Sequence, residues 1–581
     1  MKILLVKLLD VLYPTSLRII LLSSIHLLLV VQILAQDLGQ LDAAHPVQLS
    51  GGMTINLGAY SAAGISGRRD PFSYLVLGRL NFNLFGVVDV PIGVSFTQQE
   101  NGFSQPFNHY GMSPRYKWIQ THVGYRNLTW SPYTLNGHTF LGAGIDLDLP
   151  LNAGPKIRLS AMSGRLRRAV DTETALLEDE QPSYRRKGHG LNLQLTDRNN
   201  SKNFFTANVF AAKDDPFSIQ DLSGYDLESA RENVTIGLGG QVSLLDKLVL
   251  NGNYGFSALT RDAENEDVSE EKLPFLMELG KVFITPNQST QFDEAFDVSA
   301  GWQIKTWSLK IKYQWIDPGY SSLGSYYFQN DFENITIDGA TTLQGGKIRL
   351  RASLGQQRNN LEGDKMTRTK RLIGSLNYNH SLTDRMAING SFSNYSSSLK
   401  VVQEELSDTL NYYQINTSIN AGINYVVGSN ADRSLYANAS YQLGNSRDEY
   451  RVHDDNSKFF LASSGYRWRI PHRRLQLKIS TNLSKHTDNQ IKTTLVGPSV
   501  TVGKSFGKKK LNAAYTLGYN WNFMEQQLSY GLWKNRATAS YALVGGQRIG
   551  LELSVLNKKN VVNTDKSYTE IRGRMSYKMN F

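Results

Sequence analysis

Residues 511–521 read Leu-Asn-Ala-Ala-Tyr-Thr-Leu-Gly-Tyr-Asn-Trp. Leu511, Ala513, Tyr515, Leu517, Tyr519 and Trp521 take every second position, and Asn512, Ala514, Thr516, Gly518 and Asn520 fall between them. Successive side chains of a strand point to opposite faces, so this stretch has one apolar and one polar face. The same period runs through the chain. Val88, Val90, Ile92, Val94 and Phe96 alternate with Asp89, Pro91, Gly93 and Ser95. Leu309, Ile311, Tyr313 and Trp315 alternate with Lys310, Lys312 and Gln314. Ile348, Leu350, Ala352 and Leu354 oppose Lys347, Arg349, Arg351 and Ser353, and Leu475, Leu477 and Ile479 oppose Gln476, Lys478 and Ser480.

A soluble β-sandwich also alternates. Three features favour a membrane wall instead. The segments run about 10–15 residues, longer than the usual 5–6 and suited to a tilted crossing of a bilayer. About two dozen follow one another without a helix, too many for one open sheet. Trp118, Trp130, Trp302, Trp307, Trp315, Trp468 and Trp521 sit near segment ends, where interfacial girdles place aromatics. The fold expected is all-β: a transmembrane antiparallel up-and-down β-barrel over residues 47–581, with about 24 strands (24–26).

The links agree. Short ones near 197–201, 245–247, 306–307, 344–346, 383–385, 428–433, 470–473, 506–509 and 545–547 alternate with longer polar ones, as periplasmic turns alternate with external loops. The segment Lys117–Trp130 disturbs the count, because one more span would make it odd. It belongs either to an inserted loop over 98–138 or to a 26-stranded arrangement.

Lys2, Lys7 and Arg18 precede an apolar run, Ile19–Leu34, that ends at Ala35. This is the pattern of a cleaved signal peptide over 1–35, leaving 36–46 as a short periplasmic segment. The chain has 49 Gly, 29 Tyr, 24 Phe and only 16 Pro, a composition suited to strands. Its mean hydropathy of −0.34 argues against membrane helices but not against a barrel, whose inner face is polar. Cysteine is absent, which excludes disulfides, thiolate metal sites and Cys nucleophiles.

At the end of the chain Ile571, Gly573, Met575, Tyr577, Met579 and Phe581 alternate with Arg572, Arg574, Ser576, Lys578 and Asn580. This resembles the C-terminal strand, with its terminal aromatic, by which the barrel-assembly machinery recognises Gram-negative outer-membrane β-barrels. The Ala35-Gln36 junction and the Tyr/Asn-rich strands are similar in style to barrels of Bacteroidota. The resemblance implies an outer-membrane location after export and contact with outer-membrane lipid and lipopolysaccharide.

No HExxH, GxSxG or GxxxxGK[ST] is present, so neither an enzyme nor a cofactor is expected. His109, His122 and His138 come nearest to a cluster, and the acidic run Asp262–Asp267 reads as a solvated outer loop. Only 36–46 would precede the first strand, which leaves no place for the plug of a TonB-dependent receptor or for assembly-factor repeats.

A wide barrel leaves a wide lumen. Residues 98–138 are the candidate constriction, with Arg115, Lys117 and Arg126 among Tyr110, Tyr116, Trp118 and Tyr125. The net charge is +11. Lys310, Lys312, Lys347, Arg349, Arg351, Lys478, Arg572 and Arg574 all fall on the polar, lumen-facing side of the pattern, which would favour anions. The basic residues alternate along strands instead of forming a patch, so nucleic acid is not expected as a partner. The leading expectation is a channel for hydrophilic, preferentially anionic solutes. The alternative is a non-conducting barrel that serves as subunit or scaffold of a secretion, assembly or surface complex, docking partners at the outer loops 213–232, 259–293 and 317–332.

Overall fold

The alternation becomes hydrogen-bonded strand along the whole described chain. In this computed structural model the described residues are 46–581 except 99–107, 172–181, 220–228, 266–282, 285, 326–328, 366, 402–411, 429–431, 449–454, 489–490, 508 and 562–563. The expected signal peptide 1–35 lies outside them, as does the expected leader 36–46 apart from Pro46.

The chain opens with β1 (Val47–Ala63), β2 (Phe72–Leu84), β3 (Val88–Thr97), the short β4 (His109–Met112) and β5 (Arg115–Tyr116), β6 (Ile119–Thr129), β7 (Asn136–Asp148) and β8 (Lys156–Arg167). It continues with β9 (Arg185–Thr196), β10 (Phe204–Asp215), β11 (Glu232–Leu244), β12 (Leu248–Thr260), β13 (Thr290–Ile304), β14 (Trp307–Ile316) and β15 (Phe332–Leu343). Next come β16 (Ile348–Asn359), β17 (Thr367–Thr383), β18 (Met386–Val401), β19 (Tyr412–Val427), β20 (Arg433–Asp448) and β21 (Asp455–Ile470). The last are β22 (Leu475–Thr487), β23 (Lys492–Phe506), β24 (Leu511–Met524), β25 (Gln527–Ala542), β26 (Arg548–Asn560) and β27 (Tyr568–Asn580).

Neighbours in sequence pair antiparallel, and β27 pairs with β1 from Gly52↔Asn580 to Ala63↔Thr569, closing the sheet. Across this seam the Tyr60 hydroxyl donates to Glu570 Oε1 at 2.8 Å. The segments β4 and β5 lie end to end, both paired with β3 on one side and β6 on the other. The 27 segments therefore fill 26 wall positions.

The 26 positions lie at the upper end of the expected 24–26, because β4, β5 and β6 place residues 109–129 in the wall and not in an inserted loop. Ser113-Pro114 interrupts the strand between β4 and β5, and a proline gives the ladder no donor, so the alternation breaks there.

Closure leaves no strand edge, the condition for a sheet in hydrocarbon. Outward Ala211, Val234, Ile236, Phe256 and Ala258 are buried in a cluster with Ile284, whereas many outward residues stay bare, such as Leu309 (50% exposed) and Ile311 (48%), with Val298, Trp302, Leu551 and Leu553 alike. Such a belt forgoes roughly 1.5–3 kcal/mol per large side chain in water, and lipid removes that cost. Among the described residues no helix is long and apolar enough to cross a membrane. Tight turns gather at the end that holds Val47 and Asn580. Leu245 and Asp246 both take positive φ, 51° and 53°, the type I′ geometry that matches strand twist.

Candidate functional site in the barrel lumen

Two links at the opposite end turn inward. One joins β6 to β7 (residues 130–135), and the other starts the link from β14 to β15 (residues 317–325). They meet inside the barrel. The Asn136 amide donates to the Gly324 carbonyl at 3.0 Å, and Ser325 bridges Asn136 and Gly137. Ser322 Oγ donates to the Thr134 carbonyl, and Tyr320 Oη to the Tyr133 carbonyl, each at 2.6 Å.

The wall holds this pair of loops from four consecutive strands. Thr134 Oγ1 donates to Asn208 Oδ1 on β10 at 2.5 Å. Asn233 Oδ1 on β11 accepts the Leu323 amide at 3.0 Å. Ser257 Oγ on β12 donates to the Ser321 carbonyl at 2.6 Å, and Tyr133 Oη donates to Asp297 Oδ1 on β13 at 2.8 Å. These wall groups share one face, which is therefore the inner face. Apolar contacts fill the remaining space. Leu135 and Leu323 pack with Phe140, Met162, Leu166 and Phe210, and Trp130 lies against them. Tyr133 and Tyr320 pack with Ala295, Ile316 and Phe332. Thr134 and Leu135 are fully buried.

Glycine cuts the seat for these loops. A Cβ on Gly255 would stand 2.5 Å from both Tyr133 Cβ and Tyr320 Oη; on Gly237 it would stand 2.8 Å from Thr134 Cγ2, and on Gly190 2.5 Å from Trp130 Cζ3. Glycine inside a strand marks such close approach. Burial lifts the Tyr133 and Tyr320 phenols well above their usual range, so both stay neutral donors.

The expected constriction residues scatter. Arg115 lies on the inner face near the tight-turn end, 3.6 Å from Asp148 and opposite Asp89. Lys117 occupies the β5–β6 turn at φ 51°, its Nζ 5.3 Å from the Tyr116 ring centre. Only Arg126, opposite Phe140, approaches the inward loops, and its Nε and Nη2 are buried with no hydrogen-bond partner. Lys312 stands 3.6 Å from Asp297, the carboxylate that anchors Tyr133, and Lys310 lies opposite Asp338. Arg349 and Arg351 project from β16 on the inner face, while Lys347 sits in the preceding turn and not on a strand face. Lys478 pairs in register with Arg467, and Arg572 reaches Glu570 at 3.3 Å.

The histidines are not brought together. His122 links Ser113 Oγ (2.7 Å from Nδ1) to Asp146 Oδ2 (3.2 Å from Nε2), a buried polar tie across the strand break. His138 Nδ1 instead faces its neighbour's carbonyl, that of Thr139. Among the described residues no group of three His, Cys, Asp or Glu could hold a metal ion.

Sequence reasoning missed Tyr133, Thr134, Leu135, Tyr320 and the glycine seat. It also placed Trp130 in a membrane girdle, whereas the indole packs inside the lumen. Residues 317–325, expected on a docking surface, fold inward.

No protein-family model and no curated protein matches the chain. Among solved structures it is similar to the P pilus usher (PapC) translocation pore, at 11% identity over 92% of this chain and 99% of that one, with a TM-score of 0.35. It is also similar to the FrpB iron transporter from Neisseria meningitidis, at 11% identity over 91% and 81%, with a TM-score of 0.37. The copper transporter OprC stands at 8% identity over 92% and 81%, with a TM-score of 0.38. Scores this low carry no argument about function, and the fold rests on the strand pairing that closes the wall.

Proposed function

We propose that this chain is an outer-membrane channel for hydrophilic solutes, narrowed by two inward loops and biased toward anions. The observation that carries the reading is the one-sided filling of the lumen. The inward loops bind the inner face from β7 to β15, while the inner faces of β16 and β27 present Arg349, Arg351, Arg572, Arg574 and Lys578 exposed. An uncovered polar strip inside a closed wall is a water path, and its charge sets which ions it favours. Export through a signal peptide, recognition of the β27 strand ending at Phe581 by the barrel-assembly machinery, and lipopolysaccharide at the outer rim complete the proposal.

Planar-bilayer recording on the purified full-length barrel tests it. Ohmic steps are expected, with a reversal potential in a KCl gradient that shows chloride preference. Cation preference would remove the anionic part. Silence, with proteins that co-purify, would overturn the channel and favour the scaffold alternative.

A further inference from the structure

Several cations on the inner wall meet a carboxylate, across the ladder or along their own strand. Arg536 meets Glu552 on the next strand at 2.8 Å, Lys312 stands 3.6 Å from Asp297 on the neighbouring strand, and Arg572 meets Glu570 along its own strand at 3.3 Å. Arg349 and Arg351 differ. They stand two residues apart on one face of β16, about 7 Å from each other along the strand. Arg349 lies opposite Thr342 and Asn379, and Arg351 opposite Ala340 and Asn377. None of the four is charged, and among the described residues neither guanidinium forms an ion pair.

Both arginines line a cavity of about 670 Å³ at the tight-turn end, with Gln303, Lys305, Ser308, Asn377 and Asn379. That size lies within the usual range for small-molecule sites. No Asp or Glu lines it. The nearest acid on β15, Asp338, is engaged by Ser353 at 2.5 Å and faces Lys310.

We propose that this basin is an oxyanion-binding site at the inner mouth, for a small solute that carries carboxylate or phosphate groups. Each guanidinium offers a planar fork that fits one acid group bidentately. The spacing admits two acid groups of one solute, and the Asn377 and Asn379 amides supply neutral donors and acceptors beside them. The site deepens the channel reading by naming the solute class, but binding at the basin does not require conduction.

The test is calorimetric titration of the full-length barrel in detergent with inorganic pyrophosphate and, separately, with citrate. Saturable binding of at least one is expected, and the preferred anion identifies the acid group. In the R349Q/R351Q double variant affinity should fall about tenfold or more, while R536Q, at a paired arginine, should bind as the wild type does. If the double variant fails to fold, the single variant Arg351→Gln carries the same comparison. Equal affinity in wild type and the arginine variants, or binding of neither anion, overturns the site. A silent barrel that still binds refutes only the channel, and a conducting barrel that binds neither anion refutes only the basin.

Discussion

The strands from β7 to β15 and those from β16 to β27 obey the same alternation, yet their inner faces meet different surroundings. In the first sector Phe140, Met162, Leu166, Phe210, Ala295 and Ile316 point inward and lose contact with water. Every buried hydrophobic residue among those described lies between Tyr133 and Phe332. In the second sector the inner positions hold Arg467, Lys478, Thr501, Thr516, Arg536, Ser554 and Arg572, linked in register, with no packed loop above them among the described residues. The contrast shows that a barrel need not be filled evenly. Two loops convert one half of the lumen into a protein interior and leave the other half as wall.

The largest effect should come from removing that filling. Replacing residues 317–325 by a short Gly/Ser link deletes Tyr320, Ser322 and Leu323, and should raise single-channel conductance severalfold. Unchanged conductance would mean the loops do not narrow the path. A smaller effect separates the two sectors by stability. Gly255→Ala places a Cβ 2.5 Å from Tyr133 and Tyr320, whereas Gly503→Ala, on the inner face of β23, meets nothing closer than 3.7 Å. Thermal unfolding in detergent should show G255A destabilised by about 1–3 kcal/mol and G503A within about 0.5 kcal/mol of wild type. Equal stability of the two would break the comparison.

The smallest effect is a titration. Burial raises the folded-state pKa of Tyr133 and Tyr320, so the stability it confers is complete below about pH 10, the unfolded value, and is lost as pH climbs past it. The phenolate absorbance of the folded barrel between about pH 9 and 11 should therefore be the same for wild type and for the Tyr133→Phe/Tyr320→Phe double variant. A deficit of two phenolates in the variant would show the pair reachable by hydroxide.

The wall was legible in the sequence because period-two patterning is a local signal. The stretch from Leu511 to Trp521 forms most of β24, and the C-terminal alternation forms β27, as read. The strand hidden in residues 109–116 was not, since Ser113-Pro114 cuts it into pieces too short to show a period. The inward loops were illegible for another reason. Their direction is set by Asn208, Asn233, Ser257 and Asp297, residues far along the chain, and not by their own composition. One trace did exist. The β10 sequence Phe-Phe-Thr-Ala-Asn-Val-Phe-Ala-Ala is apolar on both faces near Phe210 and Ala211, which a wall between lipid and water does not need. Such a lapse in alternation marks a strand covered on both sides. Charge gave the inner face of β14 and β16 but not which cations lack a partner, because pairing depends on register.

The bond from Tyr60 to Glu570 joins residues 510 apart in sequence. Every other seam in the wall can zip between chain neighbours as they emerge, but this one waits for the final strand. Until β27 pairs with it, β1 carries an unpaired edge from Gly52 to Ala63, an invitation to aggregate. A chain built this way exposes that edge until its last strand arrives, and a truncation within β27 would leave the cylinder open rather than slightly shortened.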